Sequence, residues 1–424
     1  MDIPPSPATA GPRVLVVGGR LAQVRKARAL GLDVVHVQYP DAYDRGHWPY
    51  VDQALLLDYG DTGRLLPLVR ALHATGPLRA AVSLFEPGLL PAARVNEALG
   101  LGGESVETVE LLLDKGRMRR RLAERGISPV AAAVGRSAVD VREFTAAHGL
   151  PIIVKPVRES GSLGVFHVRD RADADAVAGR IRSLDGDWTA RDLADAGSFE
   201  EFLMEEYLEG PEISVETLSF DGRHVVVAVT DKETGGSGPG SRFVEVGHAQ
   251  PSAAPPGTLR DVTRLVTDFL DAVGLRNGPG HTEVKLTSRG PRIVESHNRV
   301  GGDRINELTE IAYGVDMERY ALAAGLGVLA PLPAAPAPRG GAAVRFLTPE
   351  PGRVVEVTGA DEVRADAACV ELRLDVRPGT VVSPLTWNED KAGHVLTRGA
   401  TAAEAVAHAR RLAAAVRIRT EPAP

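Results

Sequence analysis

Two glutamates, Glu283 and Glu295, lie in short strand-like segments that a tight turn connects. The segment TEVKLT leads into residues 288–290 (SRG), and PRIVES leads out of them. A three-residue hairpin loop with glycine in the left-handed position pairs Thr287 with Pro291, and therefore Glu283 with Glu295. Because directly opposite residues have Cβ atoms about 5 Å apart, the two carboxylates repel each other unless a positive charge lies between them.

A divalent cation is one source of that charge. Strand alternation places Lys285, His297 and Arg299 on the same face as the two glutamates. Mg²⁺ takes carboxylate oxygens and keeps positions open for phosphates. A surface hairpin whose acids are neutralised by Lys285 and Arg299 explains the same pattern equally well, so the hairpin by itself leaves both interpretations open.

Other stretches offer groups that bind phosphate and nucleotide. Lys155 lies in the apolar run IIVKP, where burial of an unpaired ammonium group is costly. The following RESGSLG has small residues whose backbone N–H groups can surround an anion, although it is no P-loop. In EEYLEGPE, acidic residues surround Leu208. This arrangement suits a hinge in which backbone groups bind a nucleotide base and an acidic side chain binds the ribose hydroxyls. Each stretch taken singly is equally consistent with a solvated charge or a turn.

The first hundred residues must form the scaffold next to these groups. Strand-like runs (RVLVVG, LDVVHVQY, AAVSLFEP) alternate with helical ones (RLAQVRKARALG, LPAARVNEALGL), which predicts an α/β domain with a parallel sheet. The Gly18-Gly19 turn lacks the third glycine of a dinucleotide fingerprint and is interpreted as a strand-to-helix turn.

The middle of the chain mixes helices and strands. Asp114 is a predicted N-cap, and in the helix that follows, RMRRR is interpreted as a solvated face. Strands are predicted at 151–157 and 164–168, two more around a bend at Gly210-Pro211, and a mobile loop at 231–242. TLRDVTRLVTDFLDAVGL is predicted to be a helix. The Pro/Ala-rich residues 329–341 predict a domain boundary, beyond which short strands and a final helix indicate a small α+β domain.

Composition excludes several classes of protein. A net charge of −7 over 424 residues gives no basic surplus for binding nucleic acid. The length predicts two to four domains. The single cysteine, Cys369, allows no internal disulfide. No apolar run approaches the ~18 residues of a membrane span, and the N-terminal segment does not resemble a signal peptide. We therefore expect a cytoplasmic protein that acts without a membrane.

Five stretches in order resemble the ATP-grasp superfamily of ADP-forming carboxylate–amine ligases: DKGRMRRRLAERGISPV, IVKP…ESGSLGV, MEEYLEGPEISVE, HTEVK and VESHNRVGGD. The resemblance covers about residues 80–310, and the tail resembles the C-terminal domain of the L-amino acid ligase branch. It implies a preATP-grasp parallel-sheet domain at 1–112 and a two-lobed ATP-grasp domain at 113–330, with its lid lobe at about 130–205. A small C-terminal α+β domain would occupy 340–424.

The resemblance also implies an ATP site. Lysines would contact the phosphates, a glycine-rich loop would cover them, and a hinge would hold adenine and ribose. The implied residues are Lys115 and Lys155 for phosphate, Ser160, Gly161, Ser162 and Gly164 for the loop, Glu205 and the Leu208 backbone for adenine, and Glu212 for ribose.

By the same resemblance, Glu283 and Glu295 would bind two Mg²⁺ ions, with Mn²⁺ as an alternative. The family pattern E-x-N-x-R supplies an asparagine as a further ligand, but His297 stands at that place here and Asn298 follows it. Either His297 takes the ligand role, or a β-bulge turns Asn298 inward. Arg299, with Lys155, would stabilise the transferring phosphoryl group.

The segment RFVEVGHAQPS contains candidate substrate-binding residues. Amino acid ligases similarly place a glutamate and a histidine three apart to receive an α-amino group, which fits Glu245 and His248; the alternative is a loop histidine. Arg299 and Arg304 are also assigned to the substrate.

The expected activity joins a carboxylate, such as that of an amino acid, to an amine through an acyl-phosphate, giving a dipeptide or an amide. Two alternatives are a carboxylase-like or purine-pathway enzyme acting on bicarbonate or formate, and a non-catalytic ATP-binding regulator. The resemblance is also compatible with a homodimer.

Overall fold

The computed structural model describes residues 11–158, 164–183, 201–235, 243–385 and 388–422. Within these ranges no helix has both the length and the apolar character needed to cross a membrane.

The N-terminal part is a parallel sheet flanked by helices, as predicted. Its strands β1 (Arg13–Val17), β2 (Asp33–Gln38), β3 (Gln53–Leu56) and β4 (Ala80–Val82) stand in the order β3-β2-β1-β4. The helices are α1 (Leu21–Ala29), α2 (Thr62–Thr75) and α3 (Glu86–Leu99). The valines of β1 and β2 are fully or almost fully buried, as expected for strands covered on both faces. Gly18 and Gly19 both have positive φ, so the Gly-Gly pair makes the strand-to-helix turn that leads into α1.

Two helices lead into a smaller antiparallel sheet. They are α4 (Val106–Leu113) and α5 (Lys115–Glu124), and the Asp114 carboxylate caps α5 by accepting from the Arg117 backbone N–H. The sheet that follows has the order β5-β8-β6-β7, with β5 (Ala132–Gly135), β6 (Ile152–Pro156), β7 (Phe166–Val168) and β8 (Phe202–Glu206). Its flanking helices are α6 (Ala138–His148) and α7 (Arg171–Ser183). Because this sheet lies within the predicted lid lobe, we call it the lid sheet.

A large antiparallel sheet forms the centre of the molecule. Its first strands are β9 (Glu212–Phe220), β10 (Arg223–Thr234), β11 (Glu245–Gln250), β12 (Gly278–Thr287) and β13 (Gly290–His297). Helices α8 (Pro256–Val273), α9 (Ile305–Tyr313) and α10 (Met317–Ala323) complete this part. The predicted bend between β8 and β9 is present, and Gly210 there has a φ of +140°. The predicted loop at 231–242 is wrong at its start, because β10 continues through Thr234.

The chain beyond the linker adds to that same sheet. It contains β14 (Gly341–Phe346), β15 (Gly352–Thr358), α11 (Ala360–Ala365), β16 (Cys369–Leu374), β17 (Val381–Val382), β18 (Gly393–Gly399), α12 (Ala402–Ala415) and β19 (Arg417–Glu421). The large sheet has the order β13-β12-β9-β10-β11-β14-β18-β16, and β15, β17 and β19 form a separate small sheet. The linker therefore separates segments that share one sheet, and the domain boundaries at 112/113 and 330/340 remain predictions.

Candidate active site

A cavity lies between the lid sheet, the first turn of α5 and one end of the large sheet. Eight of the predicted site residues line it: Lys115, Lys155, Glu205, Leu208, Glu212, Glu245, Glu283 and Glu295. Gly164, His248, His297, Asn298, Arg299 and Arg304 are not among its lining residues. Ser160, Gly161 and Ser162 lie outside the described residues.

The two glutamates of the hairpin lie opposite each other, but not for the predicted reason. Thr287 pairs with Gly290 rather than Pro291, so the loop has two residues instead of three. A β-bulge at Val294 then inserts one extra residue in β13, which restores the pairing of Glu283 with Glu295. The predicted pairing of the glutamates is therefore confirmed, whereas the predicted pairing of Thr287 is wrong.

Lys232 provides the positive charge that the carboxylates require. Its side chain is almost completely buried, and its Nζ lies 2.6 Å from Glu245 and 3.3 Å from Glu212, and also contacts Glu283. Although burial lowers the pKa of this ammonium, the three carboxylates together raise it well above its usual value. Sequence reasoning missed Lys232 by assigning it to a loop. The valine-rich run before it, with no glycine or proline until Gly235, could have extended the predicted strand.

A second β-bulge brings Glu245 and His248 to one face of β11. Residues three apart in a regular strand point to opposite faces, but the register of β10 and β11 shifts between Gly247 and Glu245. As a result, His248 Nε2 lies 3.9 Å from Glu245 and 4.0 Å from Asp303. Among the described residues, neither ring nitrogen of His248 has a hydrogen-bond partner, and the imidazole is buried.

Residues of the C-terminal part of the chain contact the group around His248, which consists of Glu245, His248 and Asp303. Asn388 donates a hydrogen bond to Glu245 at 3.1 Å, and Lys391 binds Asp303 at 2.7 Å. Asp303 has the left-handed φ of +48°, unusual for a residue other than glycine. Burial raises the pKa of Asp303, but His248 and Lys391 lower it strongly, and the carboxylate is held ionised.

One buried ion pair lies within the lid sheet, and another joins α5 to the large sheet. Lys155 Nζ lies 2.8 Å from Glu205, and Lys115 Nζ lies 3.2 Å from Glu295; all four side chains are mostly buried. Arg119 and Lys155 lower the pKa of Glu205, and Lys115 and His297 lower the pKa of Glu295, despite the opposing effect of burial. The Glu205 carboxylate is therefore paired with cations, and Leu208 lines the cavity beside it.

The prediction that RMRRR forms a solvated helix face is wrong at Arg119. Its guanidinium is buried, bonds Glu205, and donates to the carbonyls of Ile293 and Val294 at 2.8 and 3.1 Å. These two carbonyls flank the β-bulge of β13. Arg119 therefore connects α5, the lid sheet and the bulge, whereas Arg120 next to it is exposed as predicted.

Glu86 is a further residue that sequence reasoning missed. It opens α3, and its carboxylate accepts hydrogen bonds from Arg299 at 2.8–3.0 Å. The same oxygen lies 3.6 Å from His297 Nδ1. Burial raises the pKa of Glu86, but His297, Arg299 and Lys115 together lower it below its usual value. An acid at the start of the helix that follows a parallel strand, near the carboxyl end of that strand, was the available signal.

His297 and Asn298 point to different places. His297 is buried beside Glu295, with Nε2 3.3 Å from the carboxylate. Asn298 lines a separate cavity between α3 and the reverse side of the large sheet. A bulge is present in β13, but it lies at Val294, before Glu295, and not at the place that the alternative required. The assignment of His297 and Asn298 as metal ligands remains a prediction.

Two predicted residues have other surroundings. Arg304, with a left-handed φ of +69°, pairs with Glu371 of β16 and with Glu307. Gly164, also with positive φ, follows directly after residues 159–163, which are not described. Their assigned roles remain predictions.

A buried pair supports the strand that carries Glu283. His281 Nδ1 lies 3.0 Å from both oxygens of Glu216, and its Nε2 lies 3.6 Å from Glu283. Burial lowers the pKa of His281, but Glu216 outweighs it and the pKa rises to about 9. The imidazole is therefore a cation behind the glutamate at neutral pH.

Three family models match the chain in order: the ATP-grasp N-terminal domain over residues 24–103, the ATP-grasp domain over 148–307 and the L-amino acid ligase C-terminal domain 2 over 345–421. Alanine–anticapsin ligase of Bacillus subtilis is 28% identical over 248 residues, covering 55% of this chain and 51% of that protein. Carnosine synthase 1 of Gallus gallus is 29% identical, covering 72% of this chain and 33% of that protein. The chain thus spans about half, or less, of the length of these two relatives.

The fold matches a solved structure over nearly its whole length. The L-amino acid ligase of Bacillus licheniformis superposes with a TM-score of 0.81 at 22% identity, covering 98% of this chain and 100% of that one. The predicted fold class, a parallel N-terminal sheet followed by an ATP-grasp region and a C-terminal region, is confirmed. The chain thus carries, in order, matches to the ATP-grasp N-terminal domain, the ATP-grasp domain and the L-amino acid ligase C-terminal domain, and it is similar to the L-amino acid ligases in sequence and fold.

Proposed function

We propose that this protein is an ATP-dependent ligase that joins the carboxylate of an amino acid to an amine, releasing ADP and phosphate. The observation that carries the proposal is the cavity in which Glu283 and Glu295 lie with Lys115 and Lys155 between the lid sheet and the large sheet. The opposed carboxylates are suitable ligands for a metal ion, and the lysines are suitable for binding phosphates. The groups needed for the metal and for the nucleotide therefore line the same cavity.

ATP would lie along this cavity. Lys115 and Lys155 would bind phosphate oxygens, exchanging part of their present pairing with Glu295 and Glu205. The backbone at Leu208 would bind the base. Glu212, now paired with Lys232 and Lys285, lies where an acid could accept hydrogen bonds from ribose hydroxyls.

The residues fit Mg²⁺, which the family uses. Carboxylate oxygens are its preferred protein ligands, and Glu283 and Glu295 are buried acids whose negative charge is balanced here by Lys232 and Lys115. The ion would neutralise phosphate charge and orient the γ-phosphate. Lys232 and Lys115 would then have to share these carboxylates with it.

An amino acid substrate is supported by the group around His248. The ammonium of such a substrate needs acceptors, and His248, Glu245 and Asp303 present ring-nitrogen and carboxylate atoms that all lie within 4.8 Å of one another. Arg299, held by Glu86, lies within two residues of His297 and could bind the substrate carboxylate or its phosphorylated form.

The reaction would proceed in two balanced steps. A substrate carboxylate oxygen attacks the γ-phosphorus, and the bond to the bridging oxygen breaks to release ADP. The amine then attacks the acyl carbon, loses a proton and expels phosphate. The protein would contribute positioning and charge stabilisation by Lys155 and Arg299, and exclusion of water from the acyl-phosphate.

The alternatives have less support. An enzyme acting on bicarbonate or formate needs no ammonium acceptors, whereas the group around His248 provides them and the C-terminal segment matches the amino acid ligase model. A non-catalytic regulator would not require Lys155, Glu283, Glu295 and Arg299 all to be retained.

Phosphate release and product mass should be measured with pairs of amino acids in the presence of ATP and Mg²⁺. We expect amino-acid-dependent ADP formation, and a hydroxamate when hydroxylamine replaces the amine. Glu283→Gln should reduce turnover at least ~100-fold because it removes a ligand charge. Glu124→Gln on the exposed face of α5 is the matched control. Near-normal turnover of Glu283→Gln, or no hydroxamate with any amino acid, would contradict the proposal.

A further inference from the structure

His297 lies between two carboxylates at the end of β13. The ring is 3% exposed, its Nε2 faces Glu295 at 3.3 Å, and its Nδ1 faces Glu86 at 3.6 Å. Among the described residues, Nδ1 has no hydrogen-bond partner. A buried imidazole with one nitrogen unsatisfied and the other beside a proposed metal ligand is poorly explained as packing.

The spacing of Nε2 and the Glu295 carboxylate fits two ligands of one ion. Neighbouring ligands of an octahedral cation with bonds of about 2.2 Å lie roughly 3.1 Å apart, close to the 3.3 Å observed. The amide that could compete, Asn298, lines a different cavity. His297 contacts Glu295 directly, whereas Asn298 lines that other cavity.

Glu86 completes a carboxylate–imidazole arrangement. A histidine that binds a metal through one nitrogen commonly donates its other N–H to a carboxylate, which fixes the tautomer and the ring orientation. Glu86 lies on the Nδ1 side and is itself fixed by Arg299. Glu86, which binds Arg299, therefore also lies where a carboxylate would orient the ring of His297.

We propose that His297 is a direct ligand, through Nε2, of the cation bound by Glu295, and that Glu86 accepts the Nδ1–H bond. Imidazole binds Mg²⁺ less well than an amide oxygen does, whereas Mn²⁺ and Co²⁺ accept it. This cation site therefore favours Mn²⁺ or Co²⁺ over Mg²⁺ more than a site with asparagine at this place would. The inference rests on the metal site of the proposed function and is independent of the substrates.

The direct test is pulsed electron paramagnetic resonance of the full chain loaded with Mn²⁺ and ADP. Protein labelled with ¹⁵N in its histidine rings is compared with unlabelled protein. We expect a nitrogen hyperfine coupling that changes from the ¹⁴N to the ¹⁵N pattern on labelling. Because ADP stays unlabelled, its own nitrogens cannot produce that change, and no variant has to fold for this result.

Variants then locate the ligand. His297→Asn should abolish the coupling and lower the ratio of the Mg²⁺ to the Mn²⁺ dissociation constant by about tenfold, measured by calorimetry with ADP. Glu86→Gln should weaken Mn²⁺ binding by about tenfold. His408→Asn, on the distant helix α12, is the control and should keep the coupling.

The outcomes separate this inference from the proposed function. A coupling that is absent from wild type, or that persists in His297→Asn, overturns the inference even if the protein ligates amino acids. A coupling lost in His297→Asn supports the inference even if no amino acid pair is ligated. Failure of Mn²⁺ and ADP to bind overturns both.

Discussion

At the scale of single residues, the site is organised by buried cations facing buried acids. Lys232 contacts three carboxylates, and Lys115 and Lys155 each hold one. Breaking a buried pair by removing one partner costs about 3–5 kcal/mol because the other charge is left uncompensated. The lowered pKa values of Glu205, Glu245, Glu283 and Glu295 show that these pairs favour the ionised carboxylates.

The pair of His281 and Glu216 makes stability depend on pH. The pKa of His281 in the folded chain is raised to about 9, above an unfolded value of about 6.5. Its stabilising effect is thus fully present below about pH 6.5 and is lost as the pH rises through about 9. Between pH 6 and 10 we expect wild type to lose on the order of 3 kcal/mol more of its unfolding free energy than Glu216→Gln does.

Urea unfolding at a series of pH values measures this difference, with metal excluded by a chelator. Glu124→Gln, exposed on α5, should follow the wild-type curve. Parallel curves for wild type and Glu216→Gln over this range would show that His281 is not the group that titrates.

At the scale of secondary-structure elements, two β-bulges shape the site. One at Val294 sets Glu295 against Glu283, and one in β11 sets His248 on the face of Glu245. A bulge leaves one residue outside the regular ladder, so other groups must hold its carbonyls. Arg119 does this at Val294, while Ser128 accepts a hydrogen bond from the Ile293 backbone N–H at 2.8 Å.

Arg119→Met should therefore destabilise both the bulge and the lid sheet. It leaves two backbone carbonyls unbonded and removes one of the two cations on Glu205, so we expect about 3–4 kcal/mol of lost unfolding free energy. Urea unfolding measures it, and hydrogen exchange at β13 should become faster.

The control for this variant is Arg120→Met, whose side chain is exposed on the same helix. It should change stability by less than ~0.5 kcal/mol. Equal effects of the two variants would mean that Arg119 contributes as any helix residue does, without supporting the bulge.

At the scale of the whole molecule, one sheet joins the ATP-grasp region and the tail. β14 pairs antiparallel with β11, and β18 and β16 continue beyond it. The hydrophobic core also runs from Val14 of the first sheet through Leu218 to Val344. The tail therefore brings Asn388 and Lys391 to the group around His248.

Lys391→Met tests whether the tail takes part in substrate binding. Lys391 holds the Asp303 carboxylate at 2.7 Å, and loss of one charge-assisted hydrogen bond costs about 1.5–3 kcal/mol. We expect KM for the amino acid to rise tenfold or more while KM for ATP stays unchanged, measured by steady-state ADP release. Arg364→Met, at a half-exposed side chain of α11, is the control. An equal rise in both KM values would contradict a specific role.

Local patterns in the sequence determined much of this protein. Alternating strands and helices, the Asp114 cap and the bend at Gly210 are set by neighbouring residues, because propensity and turn chemistry act over a few positions. The motifs around Lys155, Glu283 and Glu295 likewise indicated the family, since their order and spacing are written in the chain.

Tertiary structure decided what depends on contacts distant in sequence. The positions of Lys232, Glu86 and Arg119 in the site follow from pairing and packing with partners about 13 to more than 200 residues away. A local pattern can assign each residue to its element but cannot bring it to these partners. Register decided the rest: one inserted residue at Val294 sets which residue of β13 lies opposite Glu283. A one-residue shift reverses the face of every residue beyond it, so the pairing of Glu295 with Glu283 depends on the fold and not on the hairpin loop alone.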